Sequence, residues 1–286
     1  MQLILGLLGI SFYTEQWWIQ DRLPRLNGFS YEPSYYSTYL MIGFSFSYFL
    51  YRKKVLLNNL TKNTVIATFL GILLSTSRMG ILVAVMQILF FELFIDKKSV
   101  KKVLFFILSF FTVLISLVII LLTNENLSFL LAGLGIMGGS AHSSIERLDG
   151  FITQIEIFSR NPLKGYSLGG VSQAIAFEKG VTNISQETIK PFDISMNIFI
   201  EVLTASGIIG FAFFIYYVYV LLIKSRRSYS SLTKNNHIIM QSLVWGLLFE
   251  FIILCFNQNI LRAYLWVHIA FLNSWYFATK AKIAEY

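Results

Sequence analysis

The side chains that could do chemistry in this sequence are few, and they sit at the edges of long apolar runs. Arg78 is the sharpest of them. It stands in Ser75-Thr76-Ser77-Arg78, just before Gly80, between two stretches that are otherwise almost wholly apolar. A guanidinium beside hydrocarbon is costly and usually faces a cavity or an anionic partner. The hydroxyl neighbours point to a wet pocket, and the best partner is phosphate, which arginine grips through two parallel hydrogen bonds. The plainer alternative is an arginine that snorkels to outer headgroups. Arg147, Arg160 and Lys164 lie in the next polar stretch and could complete an anion-binding cluster. They could equally form a solvated helix face, with Arg147 paired to Glu146 or Asp149.

The carboxylates form a second set. Glu32 precedes Pro33, which suits the first position of a helix. There it could orient a hydroxyl or accept its proton, or merely balance the helix dipole. Asp193 and Asn197 stand where a polar stretch re-enters an apolar run, and Glu201 follows Asn197 on the same helix face. Acidic groups entering hydrocarbon are functional candidates, although helix-start electrostatics would also explain them. His142 could serve as a base, or be a solvated loop histidine. Glu250 and His268 lie deeper in apolar runs, where an interhelical hydrogen bond is the commoner role. There is no metal-binding His-Glu-x-x-His, no Cys-x-x-Cys, no phosphate-cradling glycine loop and no Gly-x-Ser-x-Gly. Nor is there an Asp-x-Asp pair to hold a divalent metal on a nucleotide sugar. No metal and no cofactor is expected, so a diphosphate leaving group would have to be neutralised by arginine and lysine.

The elements that must position these groups are membrane helices. Of the 286 residues 56% are hydrophobic and 13% charged, against about 25% charged in a soluble domain. The mean hydropathy is +0.64. Repeated apolar runs make this a polytopic membrane protein. The net charge of +8 comes in short blocks between apolar runs, which fits the positive-inside rule and argues against nucleic acid as a partner. Cys255 is the single cysteine, so no internal disulfide forms. Met1–Phe12 has neither a basic n-region nor a cleavage site, and is not read as a signal peptide.

The expected fold is all-α, a transmembrane bundle of about eight spans with one large extracytoplasmic loop containing short helices. The spans are read at 1–13, 34–51, 64–77, 80–95, 103–122, 200–223, 238–256 and 263–279. With alternating spans, four basic blocks fall on one face: Arg52 to Lys62, Lys97 to Lys102, Lys224 to Lys234, and Lys280 with Lys282. That face is cytoplasmic, and so are both termini. The chain thus divides into N-terminal spans (1–122), a loop (123–193) and C-terminal spans (194–286). One helix over Thr64–Ile95 would far overshoot a ~30 Å hydrocarbon core, so the Ser75–Gly80 cluster must break it. Within the loop, Ser143 and Glu146 have capping-box spacing. Ile145, Leu148, Ile152 and Ile155 recur at helical intervals and predict a helix from Ser144 to Ser159, stopped by Asn161-Pro162. Its apolar stripe should pack on the spans or lie on the bilayer.

Three segments carry a resemblance to the O-antigen polymerase and O-antigen ligase family of bacterial membrane glycosyltransferases. Gly28-Phe29-Ser30-Tyr31-Glu32-Pro33-Ser34-Tyr35 resembles the polymerases' Gly-Phe-x-x-Glu-Pro-Ser segment. Ser75-Thr76-Ser77-Arg78-Met79-Gly80 resembles a Ser-x-Ser-Arg-x-Gly corner. Asn161-Pro162-Leu163-Lys164-Gly165-Tyr166 resembles the family's turn in the long loop, which closes on Asn197-Ile198-Phe199-Ile200-Glu201 and Gly207-Ile208-Ile209-Gly210. Met196 stands where many relatives, ligases especially, carry histidine, which favours polymerase. Relatives carry further spans before the first motif, so the resemblance implies that 1–122 lacks some of them.

The resemblance implies a metal-independent glycosyltransferase in the bacterial cytoplasmic membrane. Its donor would be a glycan on undecaprenyl diphosphate and its acceptor a lipid-linked repeat unit, with a chain-length regulator as a further partner. Arg78, Arg147, Arg160 and Lys164 would then hold the diphosphate, with Glu32 and then Asp193 as the base and Asn197, Glu201 and His142 in secondary roles. A ligase acting on lipid A-core is the alternative within the family. A transporter of lipid-linked sugars, which should place its charges along a through-path, and an inactive fragment are the alternatives outside it.

Overall fold

The computed structural model describes residues 17–19, 23–30, 32–55, 58–95, 100–124, 141–181, 197–227, 233–257 and 260–284. It is helical throughout, apart from a small antiparallel ladder between β1 (Trp17–Ile19) and β2 (Leu23–Pro24). The helices are α1 (Pro33–Arg52), α2 (Asn58–Leu74), α3 (Arg78–Phe90), α4 (Val100–Thr123), α5 (Ala141–Arg160), α6 (Val171–Glu178), α7 (Ile198–Arg227), α8 (Lys234–Asn257) and α9 (Ala263–Ala284). A π-helical turn, Phe91–Ile95, prolongs α3. Three stretches among the described residues are long and apolar enough to cross a membrane: Arg78–Ile95, Ile198–Arg226 and Lys234–Phe256. The expected span at 1–13 lies outside the described residues.

The chain forms two compact units, 1–37 with 69–146, and 38–68 with 147–286. In the first unit Pro33 opens α1 as expected, because its ring presets the helical φ and its missing N–H is one that a helix start leaves unused. The expected break in the 64–95 run is also present. Helix α2 ends at Leu74, Thr76 takes a left-handed φ of 52°, and α3 starts at Arg78. Ser77 caps α3, its hydroxyl accepting from the Gly80 N–H at 3.3 Å.

The second unit is built on α7, α8 and α9. Val202, Leu221, Met240, Leu247, Leu254, Leu265 and Leu272 form its core. Two polar joints lock these helices. The Glu201 carboxylate is buried and accepts from the Ile260 N–H at 2.9 Å. Glu250 Oε2 lies 2.6 Å from His268 Nδ1, and the other ring nitrogen lies 2.9 Å from the Leu243 carbonyl. The Glu250–His268 contact is the interhelical hydrogen bond expected of such residues. It is packed tightly, since a Cβ on Gly246 would stand 3.1 Å from the His268 ring.

Within 123–193 the structure changes where the expected helix begins, and it adds detail to the short helices expected there. Helix α5 begins at Ala141 rather than Ser144, so Ser143 lies inside it and is not its cap. A second helix, α6, follows the Asn161-Pro162 stop. Leu148, Ile152 and Ile155 are exposed, and among the described side chains of α5 the buried ones are Thr153, Gln154 and Ile157. The stripe therefore does not pack on the helices of this unit. Ile157 packs with Ala205 of α7, and the Thr204 hydroxyl reaches the Gln154 backbone carbonyl at 3.4 Å.

Candidate active site

Residues that flank the first motif segment hold the second within the first unit. Arg25, just after β2, donates from Nε to the Ser75 carbonyl at 3.1 Å and to the Thr76 hydroxyl at 2.8 Å. The neighbouring Leu26 N–H bonds the Leu74 carbonyl at 3.1 Å. Gly80 lies against Ser37 of α1, so close that a Cβ there would overlap the serine hydroxyl. The corner before α3 is thus held by a strap (residues 25–26) and by the first turn of α1. The Leu26 tie uses a carbonyl that the end of α2 leaves without a partner in its own helix.

This packing brings together the segments that carry Glu32 and Arg78. Glu32 sits at the start of α1, its carbonyl accepting from the Tyr36 N–H at 3.1 Å. Its Oε2 accepts from the Ser34 hydroxyl at 2.9 Å, and the carboxylate has no other partner among the described residues. Arg78 is exposed at the first position of α3 and is likewise unpaired among the described residues. A guanidinium beside a helix N-terminus adds its charge to the partial positive charge of free N–H groups. Such a corner can receive an anion, and a half-free carboxylate on the adjoining segment can take a proton.

The second unit carries the other two motif segments, and these meet. Gly207 interrupts α7 with φ 64° and ψ −174°. The break frees the carbonyls of Thr204 and Ala205 and the N–H of Ile208. The turn after α5 takes all three. The Tyr166 N–H bonds the Thr204 carbonyl at 3.0 Å, the Ser167 N–H bonds the Ala205 carbonyl at 2.7 Å, and the Ile208 N–H bonds the Pro162 carbonyl at 2.8 Å. The approach needs glycine on both sides. A Cβ on Gly165 would stand 2.6 Å from the Ala205 carbonyl, and one on Gly207 would overlap the Leu163 carbonyl. Thr204 and Ala205 are buried, and buried backbone groups left unpaired are costly, so the turn and the break stabilise each other.

A family model described as "O-Antigen ligase" matches residues 64–215, just over half of the chain. The chain belongs to the O-antigen ligase family. No curated protein and no solved structure matches it. The family is glycosyltransferase-like and works on lipid-linked polysaccharide in a membrane, as a ligase or a polymerase. The matched region of this O-antigen ligase family member contains the Arg78 corner, α5, α6 and the Gly165–Gly207 junction.

The remaining candidates fall out as follows. Arg160 is held in a fork by Glu178, with contacts of 2.6 and 2.7 Å, so its charge is already matched. Lys164 is exposed in the turn. Asn197 caps α7, its Oδ1 accepting from the Phe199 N–H at 2.9 Å while its amide donates to the Cys255 carbonyl at 3.1 Å. Glu201 is occupied by Ile260. His142 and Arg147 lie in α5, but their side chains are outside the described residues, as are Asp193 and Met196. Sequence reasoning missed Arg25. Its partners are 50 and 51 residues away, so no local pattern marks it. The one available signal was its place three residues before Gly28, at the head of the first motif.

Proposed function

We propose that the chain is a polysaccharide polymerase at the outer face of the bacterial cytoplasmic membrane. It transfers a glycan from undecaprenyl diphosphate to the end sugar of a lipid-linked repeat unit. The observation that carries this reading is the strap that ties the Glu32 segment to the Arg78 corner, leaving both side chains without a strong partner among the described residues. In the transfer the acceptor hydroxyl oxygen bonds to the anomeric carbon while the bond to the diphosphate breaks. Glu32 takes the hydroxyl proton. Arg78 and the N-terminus of α3 stabilise the negative charge that builds on the leaving diphosphate. Arg25 is a positioning residue that fixes the corner. Arg147 and Lys164 are further cations for the diphosphate, Asp193 is a second candidate base, and His142 is secondary. Asn197 and Glu201 act as structural joints. No metal takes part. The membrane topology is that of about eight spans, with both termini and the basic blocks in the cytoplasm and 123–193 outside. A chain-length regulator is the expected partner.

A ligase would use the same chemistry on lipid A-core, and the family includes both activities. The Glu-Pro-Ser segment and Met196 favour polymerase. The test is a deletion strain of the source organism complemented with wild type, Arg78→Ala or Glu32→Gln, each shown to reach the membrane equally. Loss of an oriented charge donor should cost about 10²–10³ in rate. For a polymerase, the surface-glycan ladder collapses in Arg78→Ala to a single repeat on its acceptor. Glycan that vanishes from the core while polymer builds on the carrier lipid identifies a ligase. Unchanged ladders in both variants refute the site.

A further inference from the structure

Beyond the reaction site, the second unit holds a cavity of about 400 Å³ between the end of α5, the turn after it and α6. That volume lies toward the lower end of small-molecule clefts, which span about 300–1,000 Å³. Ile157, Tyr166 and Phe177 make its apolar wall, and Arg160, Gln173 and Glu178 its polar edge. Tyr166 packs against the buried cluster of Ile157, Val171 and Ile175, so its ring is fixed. Phe177 is 67% exposed, so its ring is open to a ligand at the cavity mouth.

The polar edge has a definite character. The Arg160 guanidinium and the Glu178 carboxylate bond through both nitrogens and both oxygens, at 2.6 and 2.7 Å. Their charges cancel, which removes the attraction for a phosphate. Yet the guanidinium retains N–H donors and the carboxylate retains lone pairs, and the exposed Gln173 amide adds one of each kind. Fixed donors and acceptors beside apolar ring faces suit one class of ligand. A sugar ring presents hydroxyls that both donate and accept around its edge, and C–H groups on its faces.

We infer that this cavity is a subsite for one neutral sugar ring of the glycan. The inference rests on the glycan-transfer reading above. The cavity is anchored to α7 by the three hydrogen bonds across the Gly165–Gly207 junction. A sugar held there is therefore registered against a membrane helix, and it sets which part of the glycan the enzyme grips.

The test uses the full chain in nanodiscs and, as probe, the repeat-unit oligosaccharide released by mild acid from the source strain's own polymer. Saturation-transfer NMR should show ring C–H protons of one sugar receiving magnetisation from the protein. Phe177→Ala and Gln173→Ala should each weaken binding about tenfold, with unfolding temperatures unchanged because both side chains are exposed. Inorganic diphosphate should leave the signal intact. Displacement by diphosphate, absence of binding to wild type, or equal binding by both variants overturns the subsite. Turnover of the lipid-linked substrate separates this from the reaction reading. The expected result is a raised KM with kcat preserved. A wild type that transfers glycan with the same KM as both variants sinks the subsite alone. A wild type that binds the oligosaccharide but transfers nothing sinks the reaction reading alone.

Discussion

Replacing Gly207 by alanine should disconnect the loop from α7. The backbone there has φ 64° and ψ −174°, a region almost confined to glycine, and holding alanine in it costs about 1–3 kcal/mol. The new methyl would also overlap the Leu163 carbonyl and lie 2.7 Å from the Lys164 nitrogen. Both are backbone atoms, so no rotamer change relieves them. The turn must move, and moving it breaks the bonds from Tyr166 to Thr204, Ser167 to Ala205 and Ile208 to Pro162. Thr204 and Ala205 are buried, and each buried group left unpaired costs about 1–3 kcal/mol. The total expected loss is roughly 3–9 kcal/mol. Two other glycines calibrate it. Gly180 has φ +81° with open space around it, so its alanine variant should lose about 1–2 kcal/mol from conformation alone. Gly169 has open space and an ordinary φ, and its variant should stay within about 0.5 kcal/mol of wild type. The assay is detergent-solubilised unfolding followed by tryptophan fluorescence, beside the glycan ladder in cells. The expected order of stability is Gly169→Ala, then Gly180→Ala, then Gly207→Ala well below, with the ladder lost only in the last. A Gly207→Ala protein as stable as Gly169→Ala, with a normal ladder, would refute the junction.

Three further outcomes follow from the same geometry. Arg25→Met removes both bonds to the Ser75–Thr76 corner; it should cost about 1–3 kcal/mol and lower transfer. Restored stability without restored transfer in Arg25→Lys would mean that the guanidinium does more than hold the corner. Glu201→Gln keeps an acceptor for the Ile260 N–H and should unfold within about 1 kcal/mol of wild type, while Glu201→Leu should lose about 1–3 kcal/mol. Both should retain the wild-type kcat, and a fall in kcat for Glu201→Gln would make Glu201 catalytic after all. In a Cys255→Ser background, an impermeant maleimide should label Leu168→Cys on intact spheroplasts and Arg226→Cys only after permeabilisation. Labelling of both from one side would overturn the proposed topology.

The sequence alone determined what depends on neighbours along the chain. Apolar runs, polar breaks and proline act over a turn or two of helix. They specified the helical class, the stop at Asn161-Pro162, the start at Pro33 and the corner before Arg78, all of which the structure has. Tertiary structure decided everything that depends on which distant backbone groups need a partner. Arg25 gained its role because the turn at the end of α2 presents the Ser75 carbonyl and the Thr76 hydroxyl, some 50 residues away, to its guanidinium. The break at Gly207 was unreadable as such, because a glycine in an apolar run signals a kink only once the Pro162 and Tyr166 backbones are seen to complete it. The same holds for the face of α5. Periodicity marked Leu148, Ile152 and Ile155 as one apolar stripe but left open whether it faces protein or bilayer, because in a membrane protein apolar side chains are as well placed facing lipid as facing protein; the structure leaves all three exposed. What selects the inward face is close packing and hydrogen bonding, the interactions that lipid cannot supply, and these are visible only in three dimensions.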